Sequence, residues 1–211
     1  MIKMITTVPH EITIAFSGGV DSLAIAHFLK AGKRKITLAH FNHGCPVSDK
    51  IEQGCRELAD QLQLPIIVKR IDDPVVPSGS SVEDYWRRNR YRWLRLLDCR
   101  VLTGHHLDDA METWLWSAIH GDPKLIPVES GNILRPFLTT PKREFEAYCK
   151  RHKLTAIHDE CNDDLSLTRN YMRANLMPVV ENINPGFEKV IRKKYLQTNL
   201  NKRLEEVCTI F

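Results

Sequence analysis

Apolar residues fall in short runs separated by stretches with helical spacing. Ile12 to Phe16 is almost wholly apolar and meets a glycine pair, after which Val20, Leu23, Ala24, His27 and Phe28 recur at helical intervals. This reads as strand, tight turn, helix. Ile36 to Phe41 is a second buried strand, and Ile51, Cys55, Leu58, Ala59 and Leu62 mark one helix face behind a cap at Ser48 or Asp49. Pro65 to Ile71 is a third strand. The Pro, Gly and Ser-rich stretch from Asp72 to Ser80 is a loop, followed by a helix to about Leu97 whose inward stripe is Val82, Tyr85, Trp86, Asn89, Trp93, Leu96 and Leu97. Val101 to Gly104 is a fourth strand, leading into a helix near Asp108 to Ile119.

Strands that are apolar throughout and alternate with helices define a parallel sheet covered on both faces, a doubly wound α/β fold. In such sheets ligands bind beyond the carboxyl ends of the strands, so the residues after Phe16, Phe41 and Thr103 are expected to converge on one crevice. Beyond residue 121 a loop reaches Ile133. A helix near Pro141 then carries Phe145, Tyr148, Cys149 and His152 on one face, and polar sequence runs from Asp159 to Thr168. From Pro185 a basic helix with Phe187, Val190 and Ile191 inward runs almost to Phe211. The expected division is a nucleotide-binding core over 1–125, an extension completing the catalytic domain over 126–184 and a basic C-terminal helix over 185–211.

The composition of the 211 residues, 43% hydrophobic and 27% charged, excludes wholesale disorder and fibrous structure. A formal net charge of +4 permits an anionic partner without demanding one. Cysteines at 45, 55, 99, 149, 161 and 208 form no C-x-x-C pair, which points to a reducing compartment. No apolar run approaches the roughly 18 residues of a membrane span, and Met1 to Pro9 lacks the apolar stretch of a signal peptide. The expectation is a cytoplasmic protein with no membrane partner.

Ser17-Gly18-Gly19-Val20-Asp21-Ser22 lies between the first strand and the first helix. Two glycines let backbone N–H groups approach an anion, the helix N-terminus adds its positive dipole end, and the hydroxyls donate further bonds. The turn suits phosphate. It matches neither G-x-x-x-x-G-K-[ST] nor G-x-G-x-x-G. An aspartate beside phosphates calls for a cation, so Asp21 suggests Mg²⁺. Other charged groups cluster at two places. On a helix Glu83, Arg87 and Arg90 form one polar stripe, and Asp109 and Glu112 share a face.

Ser-Gly-Gly-x-Asp-Ser after the first strand resembles the signature of the PP-loop, or N-type, ATP pyrophosphatases, which have an adenine nucleotide α-hydrolase-like fold. From about residue 12 to 187 the chain resembles, within that group, the tRNA(Ile)-lysidine synthetases. Ala39-His40-Phe41-Asn42-His43-Gly44 matches the segment near adenosine, although His40 and His43 also read as a structural pair or, with Cys45, a weak metal site. Glu83 to Tyr91 resembles E-x-x-x-R-x-x-R-Y, Thr103 to Thr113 resembles G-H-H-x-D-D-Q-x-E-T, and Arg135-Pro136 with Arg143 resembles R-P-L-L and its following arginine. Asp159, Asn162 and Thr168 to Arg173 resemble D-P-S-N and R-N-x-x-R. Cys45-Pro46 stands where the family has Leu-Arg, Ala110 where it has glutamine, and Glu160-Cys161 where it has Pro-Ser.

The resemblance implies an ATP-dependent ligase: a wobble cytidine attacks the α-phosphorus of ATP, pyrophosphate leaves into the turn, and lysine or a related amine displaces AMP. It implies ATP contacts from Ala15, Phe16, Ser17, Gly18, Gly19, Asp21, Ser22, His40, Asn42, Thr103 and Gly104. Catalytic roles fall to Arg87 at the α-phosphate, His105, Asp109 and Glu112, and Mg²⁺ contacts to Asp21 and Asp109. RNA or substrate contacts fall to Glu83, Arg90, Arg135, Arg169 and Arg173, the last three as a basic rim for phosphates. The partners are tRNA and an amine. The family's C-terminal domains have no counterpart in this sequence, so a homodimer or a partner protein is the expected substitute. The terminal helix, with Lys189, Arg192, Lys193, Lys194, Lys202 and Arg203, is a candidate RNA or subunit contact. Two other readings share the turn: a tRNA-thiolating enzyme, disfavoured without C-x-x-C, and an ATP- and RNA-binding module without turnover.

Overall fold

The computed structural model describes residues 1–158 and 167–208, the last ten of these as backbone alone. The apolar runs form β1 (Glu11–Ala15), β2 (Lys35–Asn42), β3 (Ile66–Arg70) and β4 (Val101–Leu102). Helices α1 (Val20–Ala31), α2 (Pro46–Gln61), α3 (Val82–Leu96) and α4 (Leu107–Ile119) follow these strands in turn. β1, β2, β3 and β4 are mutually parallel, with Ile14 opposite both Leu38 and Leu102. With β5 (Glu129–Ser130) and β6 (Ile133–Leu134) the sheet order is β3-β2-β1-β4-β6-β5, so the order reverses between β1 and β4, and the carboxyl ends of those two strands flank a crevice.

Alternate residues of each strand serve opposite faces. Ile12, Ile14, Leu38 and Leu102 pack with Leu23, Leu29 and Cys55 from α1 and α2. Ala39, Val101 and Ile133 pack with Tyr91 and Leu94 of α3. Phe137 joins the first cluster, as does Phe145, carried by α5 (Lys142–His152). A third cluster joins Leu107 and Met111 of α4 to Phe187, Ile191 and Tyr195 of α8 (Phe187–Cys208). Both faces of the sheet are covered, which is why its strands tolerate so few polar residues.

Several local expectations are corrected. α2 begins at Pro46 with Cys45 as its N-cap, because the proline ring fixes a helical φ at the first position; Ser48 lies inside the first turn, 3.0 Å from Cys45 Sγ. α3 turns Tyr91 and Leu94 inward, whereas Leu96 is 77% exposed and Val82 is also exposed. In α8 the buried stripe is Phe187, Ile191 and Tyr195, spaced four apart, and Val190 faces out.

The expected loop before Ile133 contains a hairpin. β5 (Glu129–Ser130) pairs antiparallel with β6 (Ile133–Leu134), and β6 pairs parallel with β4. Two-residue strands leave no periodicity to read. The segment before the last helix is also helical: α6 (Thr168–Tyr171), a π-helical stretch (Met172–Leu176) and α7 (Met177–Ile183). Asp159, Glu160, Cys161 and Asn162 lie outside the described residues, as do the side chains of Lys202 and Arg203.

Candidate active site

The Ser17–Ser22 turn owes its shape to one backbone position. Gly18 has φ +76°, and a Cβ there would lie 2.4 Å from Ile157 Cδ1 and 3.0 Å from Cys55 Sγ. Gly18 O also accepts from Ile157 N at 3.0 Å. Only glycine meets both demands without strain. The turn is braced from within: Ser17 N lies 3.3 Å from Ser22 Oγ, and Ser22 Oγ donates to Gly19 O at 3.1 Å. α1 follows with Gly19 as N-cap and no side-chain cap, so its first amides are available to an anion.

Against this turn lies a cleft of about 290 Å³ at the β1/β4 reversal. Its walls include Ala15, Phe16, Ser17, Asp21, Ser22, His40, Thr103, Gly104, His105, Asp109, Arg90 and Arg169. Gly104 brings the β4 end close to α1, since a Cβ there would be 3.8 Å from both Asp21 Cβ and Ser22 N. The three strand ends therefore meet as the strand order requires. Ala39, Phe41 and His43, from the segment matched to the adenosine-binding one, also line the cleft, as do Ser48, Ile51, Tyr91, Trp93 and Leu94, which were given no site role. Tyr91 carried a signal, as the last residue of the arginine-rich motif; Ser48, Ile51, Trp93 and Leu94 come from helix faces whose direction the sequence leaves open.

His40 Nδ1 lies 2.9 Å from Phe16 O, and a carbonyl only accepts, so Nδ1 carries the proton. Nε2 is then an acceptor; it is buried without a partner among the described residues, and His40 forms part of the cleft wall. Burial holds the His40 pKa below the usual histidine value, keeping the ring neutral. Asn42 does not line the cleft. Its amide donates to Asp49 at 2.9 Å and Glu52 at 2.8 Å, and its Oδ1 accepts from Gly44 N at 2.7 Å, so it braces the turn after β2.

The adjacent histidines behave oppositely. Burial pushes the His105 pKa down to about 3, and the neutral ring lies 2.8 Å from Thr103 Oγ1 and 3.4 Å from the Tyr91 hydroxyl. His106 is equally enclosed, yet Asp109, Asp108 and Asp21 around it outweigh that desolvation and raise its pKa. At the start of α4, Asp109 Oδ2 accepts from His106 N at 2.9 Å. For Asp109 the cost of burial is likewise overcome, by His106 and then Arg169, so its carboxyl stays ionised.

Arg169 and Arg173 reach α4 from the second helical segment. Arg169 Nη2 donates to Asp109 at 2.8 Å and its Nε to Glu112 at 3.0 Å. Arg173 donates to both oxygens of the buried Glu112, at 2.7 and 3.0 Å. These arginines were expected on an open basic rim; instead they are committed to the buried Glu112 and the half-buried Asp109, whose carboxylates would otherwise lie largely unpaired away from water. Arg135 is also no rim residue: it is 5% exposed and donates to Pro127 O at 3.0 Å. Arg90 lines the cleft, while Arg87 is exposed, lies outside the cleft lining and has its guanidinium 5.2 Å from the Tyr91 ring centre. Of these two arginines, Arg90 is the one placed at the cleft. Glu83, exposed on α3, and Glu112 are likewise absent from the lining.

The donors suit Mg²⁺ only in part. Asp21 Oδ1 is buried without a partner among the described residues, and desolvation raises the Asp21 pKa, as for a carboxylate awaiting a cation. Both Asp109 oxygens are engaged by protein, so the expected Asp109 contact does not fit this arrangement. Among the described residues no group of three or more His, Cys, Asp or Glu is arranged to hold a metal. Mg²⁺ commonly binds through one or two carboxylates with phosphates completing the shell, so Asp21 fits such a site.

Fold and site together define a doubly wound α/β protein of the nucleotide-binding kind, with an anion-receiving turn at the reversal of strand order. The chain belongs to the PP-loop domain family, whose profile matches residues 2–180. It is 32% identical over 199 residues to tRNA(Ile)-lysidine synthase of Vibrio cholerae, covering 87% of this chain and 45% of that protein. Against the enzyme of the same name from Legionella pneumophila it is 33% identical over 192 residues, covering 83% and 44%. The chain thus spans less than half the length of these relatives. Among solved structures, the NH3-dependent NAD synthetase of Campylobacter jejuni is 15% identical, with TM-score 0.49 over 92% of this chain and 87% of that one. Among the described residues no helix is long and apolar enough to cross a membrane.

Proposed function

We propose that the chain binds ATP in the β1/β4 cleft and uses it to modify tRNA, transferring AMP to a base and releasing pyrophosphate into the Ser17–Ser22 turn. The observation that carries this reading is the uncapped N-terminus of α1 behind Gly18, opening onto a cleft that also holds Arg90 and His40. Amides and helix dipole bind the outer phosphates, Arg90 offsets charge developing at the α-phosphorus, and His40 Nε2 accepts from the adenosine. Asp21 would hold Mg²⁺ together with the phosphates, and the ion would supply neutralising charge there.

The names of the relatives support a finer reading. The carbonyl oxygen of a wobble cytidine attacks the α-phosphorus and the bond to pyrophosphate breaks. The nitrogen of lysine or a related amine then attacks the activated carbon, loses a proton, and AMP departs. Positioning the reactants and stabilising charge account for the chemistry without a covalent protein nucleophile.

Incubating the chain with ATP, Mg²⁺, unfractionated tRNA and each amino acid in turn tests both readings. Lysine-dependent AMP release with a modified cytidine, read by mass spectrometry, is the expected result. AMP release that requires a sulfur donor instead assigns tRNA thiolation; ATP binding without AMP under any condition assigns a module without turnover.

A further inference from the structure

Tyr91 is a wall between two cavities. One face borders the nucleotide cleft, where its hydroxyl meets His105; the other borders an open basin of about 530 Å³ on the outer side of α3. Arg87, Arg88, Arg92, Arg95 and Arg135 surround this basin. The guanidinium carbons of Arg87, Arg95 and Arg135 lie 5.2, 6.0 and 5.8 Å from the centre of the Tyr91 ring.

The basin holds more positive charge than the protein neutralises. Arg88 is paired with Asp84 at 3.0 Å, but among the described residues no ion pair engages Arg87, Arg92, Arg95 or Arg135. Arg135 is the decisive member. Its side chain is buried, it borders the basin, and its Nε has no hydrogen-bond partner among the described residues. An interior donor left unpaired beside a cluster of cations is unfavourable unless an anion completes it.

We propose that this basin is a docking site for the phosphate backbone of RNA, set so that a strand lying on α3 delivers its next nucleotide past Tyr91 into the cleft. The inference rests on the tRNA reading above. Guanidinium groups suit phosphate through paired donors, and the aromatic floor adds a surface for a base. Arg88, Arg92 and Arg95 follow one helix face over about 10 Å, roughly the rise of three stacked nucleotides, which a free phosphate would not use.

The test measures binding of unfractionated tRNA to the whole chain against salt concentration, for wild type, R92Q/R95Q and R92K/R95K. Neither Arg92 nor Arg95 lines the nucleotide cleft. The expected result for R92Q/R95Q is about a tenfold loss of tRNA affinity and a salt slope shallower by about 1.4, with ATP affinity unchanged; the lysine pair retains most binding. Unchanged tRNA affinity and slope in R92Q/R95Q would overturn the basin while leaving the ATP and tRNA reading intact. A wild-type chain that binds ATP but no tRNA would overturn both. Displacement of tRNA by inorganic phosphate beyond that by chloride of equal ionic strength would make the basin a free-phosphate site. Equally tight retention of polyglutamate would assign it to an acidic protein instead.

Discussion

Arg173 grips Glu112 through two parallel hydrogen bonds, joining the π-helical stretch to α4 across 61 residues of sequence. Arg169 shares the same carboxylate and adds Asp109. Glu112 is buried and the arginines partly exposed, so removing its carboxylate leaves cations that water can partly rescue. Glu112→Ala is expected to lower stability by about 2–3 kcal/mol, less than the loss of one partner from a fully enclosed pair. Urea unfolding of Glu112→Ala and Arg173→Ala measures this; a loss below about 0.5 kcal/mol in both would show that the pair is not structural.

Ile157 covers both Gly18 and Gly54, and the two glycines separate two kinds of strain. A Cβ at either meets Ile157 Cδ1, at 2.4 and 2.8 Å, but only Gly18 has a positive φ. Gly18→Ala should cost about 2–4 kcal/mol and weaken ATP binding. Adding Ile157→Ala should restore Gly54→Ala to the level of Ile157→Ala alone, yet recover only part of the Gly18→Ala loss. Thermal denaturation of the two double-mutant cycles reads the difference, and equal rescue would place the whole cost of Gly18→Ala in side-chain overlap.

Arg87 and Arg90 lie on opposite sides of the Tyr91 wall, which separates their effects on nucleotide binding. Arg90→Ala is expected to weaken ATP binding by about tenfold or more, the size of a lost charge-assisted hydrogen bond. Arg87→Ala should change it less than about twofold. Calorimetric titration with ATP decides, and a larger effect from Arg87 would return the phosphate role to it.

The neighbouring histidines should titrate apart. His105 has its folded pKa pushed down to about 3 by burial, so its contribution to stability is lost as pH falls below about 6.5, where the unfolded ring takes a proton and the folded one refuses it. His106 is the reverse case. Although burial opposes its charge, the three aspartates raise its folded pKa, so its stabilisation is complete below the unfolded value and disappears as pH rises through the folded one. Imidazole NMR titrations, assigned with His105→Gln and His106→Gln, should show a neutral His105 and a charged His106 at pH 6. The opposite order would refute the arrangement of charges around α4.

Asp21 places function and stability in opposition. Desolvation is the leading reason that its pKa is raised, so the folded state loses stability as pH rises from the unfolded value through the folded one. Asp21→Asn should therefore stabilise the nucleotide-free protein at neutral pH while abolishing pyrophosphate release. Parallel unfolding and pyrophosphate assays check both halves; full turnover in Asp21→Asn removes this carboxylate from the mechanism.

The strand and helix order was legible because each parallel strand is a continuous apolar run, and the turn before α1 because a glycine pair between an apolar run and a helical pattern marks a strand-to-helix junction. What escaped was orientation. Arg87 and Arg90 are three residues apart, so their directions differ by only about 60° around the helix axis, and a small rotation of α3 decides which cavity each enters. The expected inward face of α3 held only in part for the same reason: Trp93 and Leu97 pack inward, but Tyr91 is buried and Leu96 exposed. Arg169 and Arg173 looked like surface charges because their partners lie about sixty residues earlier, and a one-dimensional pattern carries no sign of such pairings. His40 was named because its segment matches the one near adenosine, but the acceptor character of its Nε2 follows from the Phe16 carbonyl that fixes its tautomer.

The β5–β6 hairpin ends the sheet with a strand of only two residues, fastened by Arg100 to Glu129 at 2.9 Å. So brief a margin gives a foreign chain almost no ladder on which to continue the pleat, and charged side chains stand beside it. On that flank the protein is guarded against the edge-to-edge stacking that carries exposed β-structure toward aggregation.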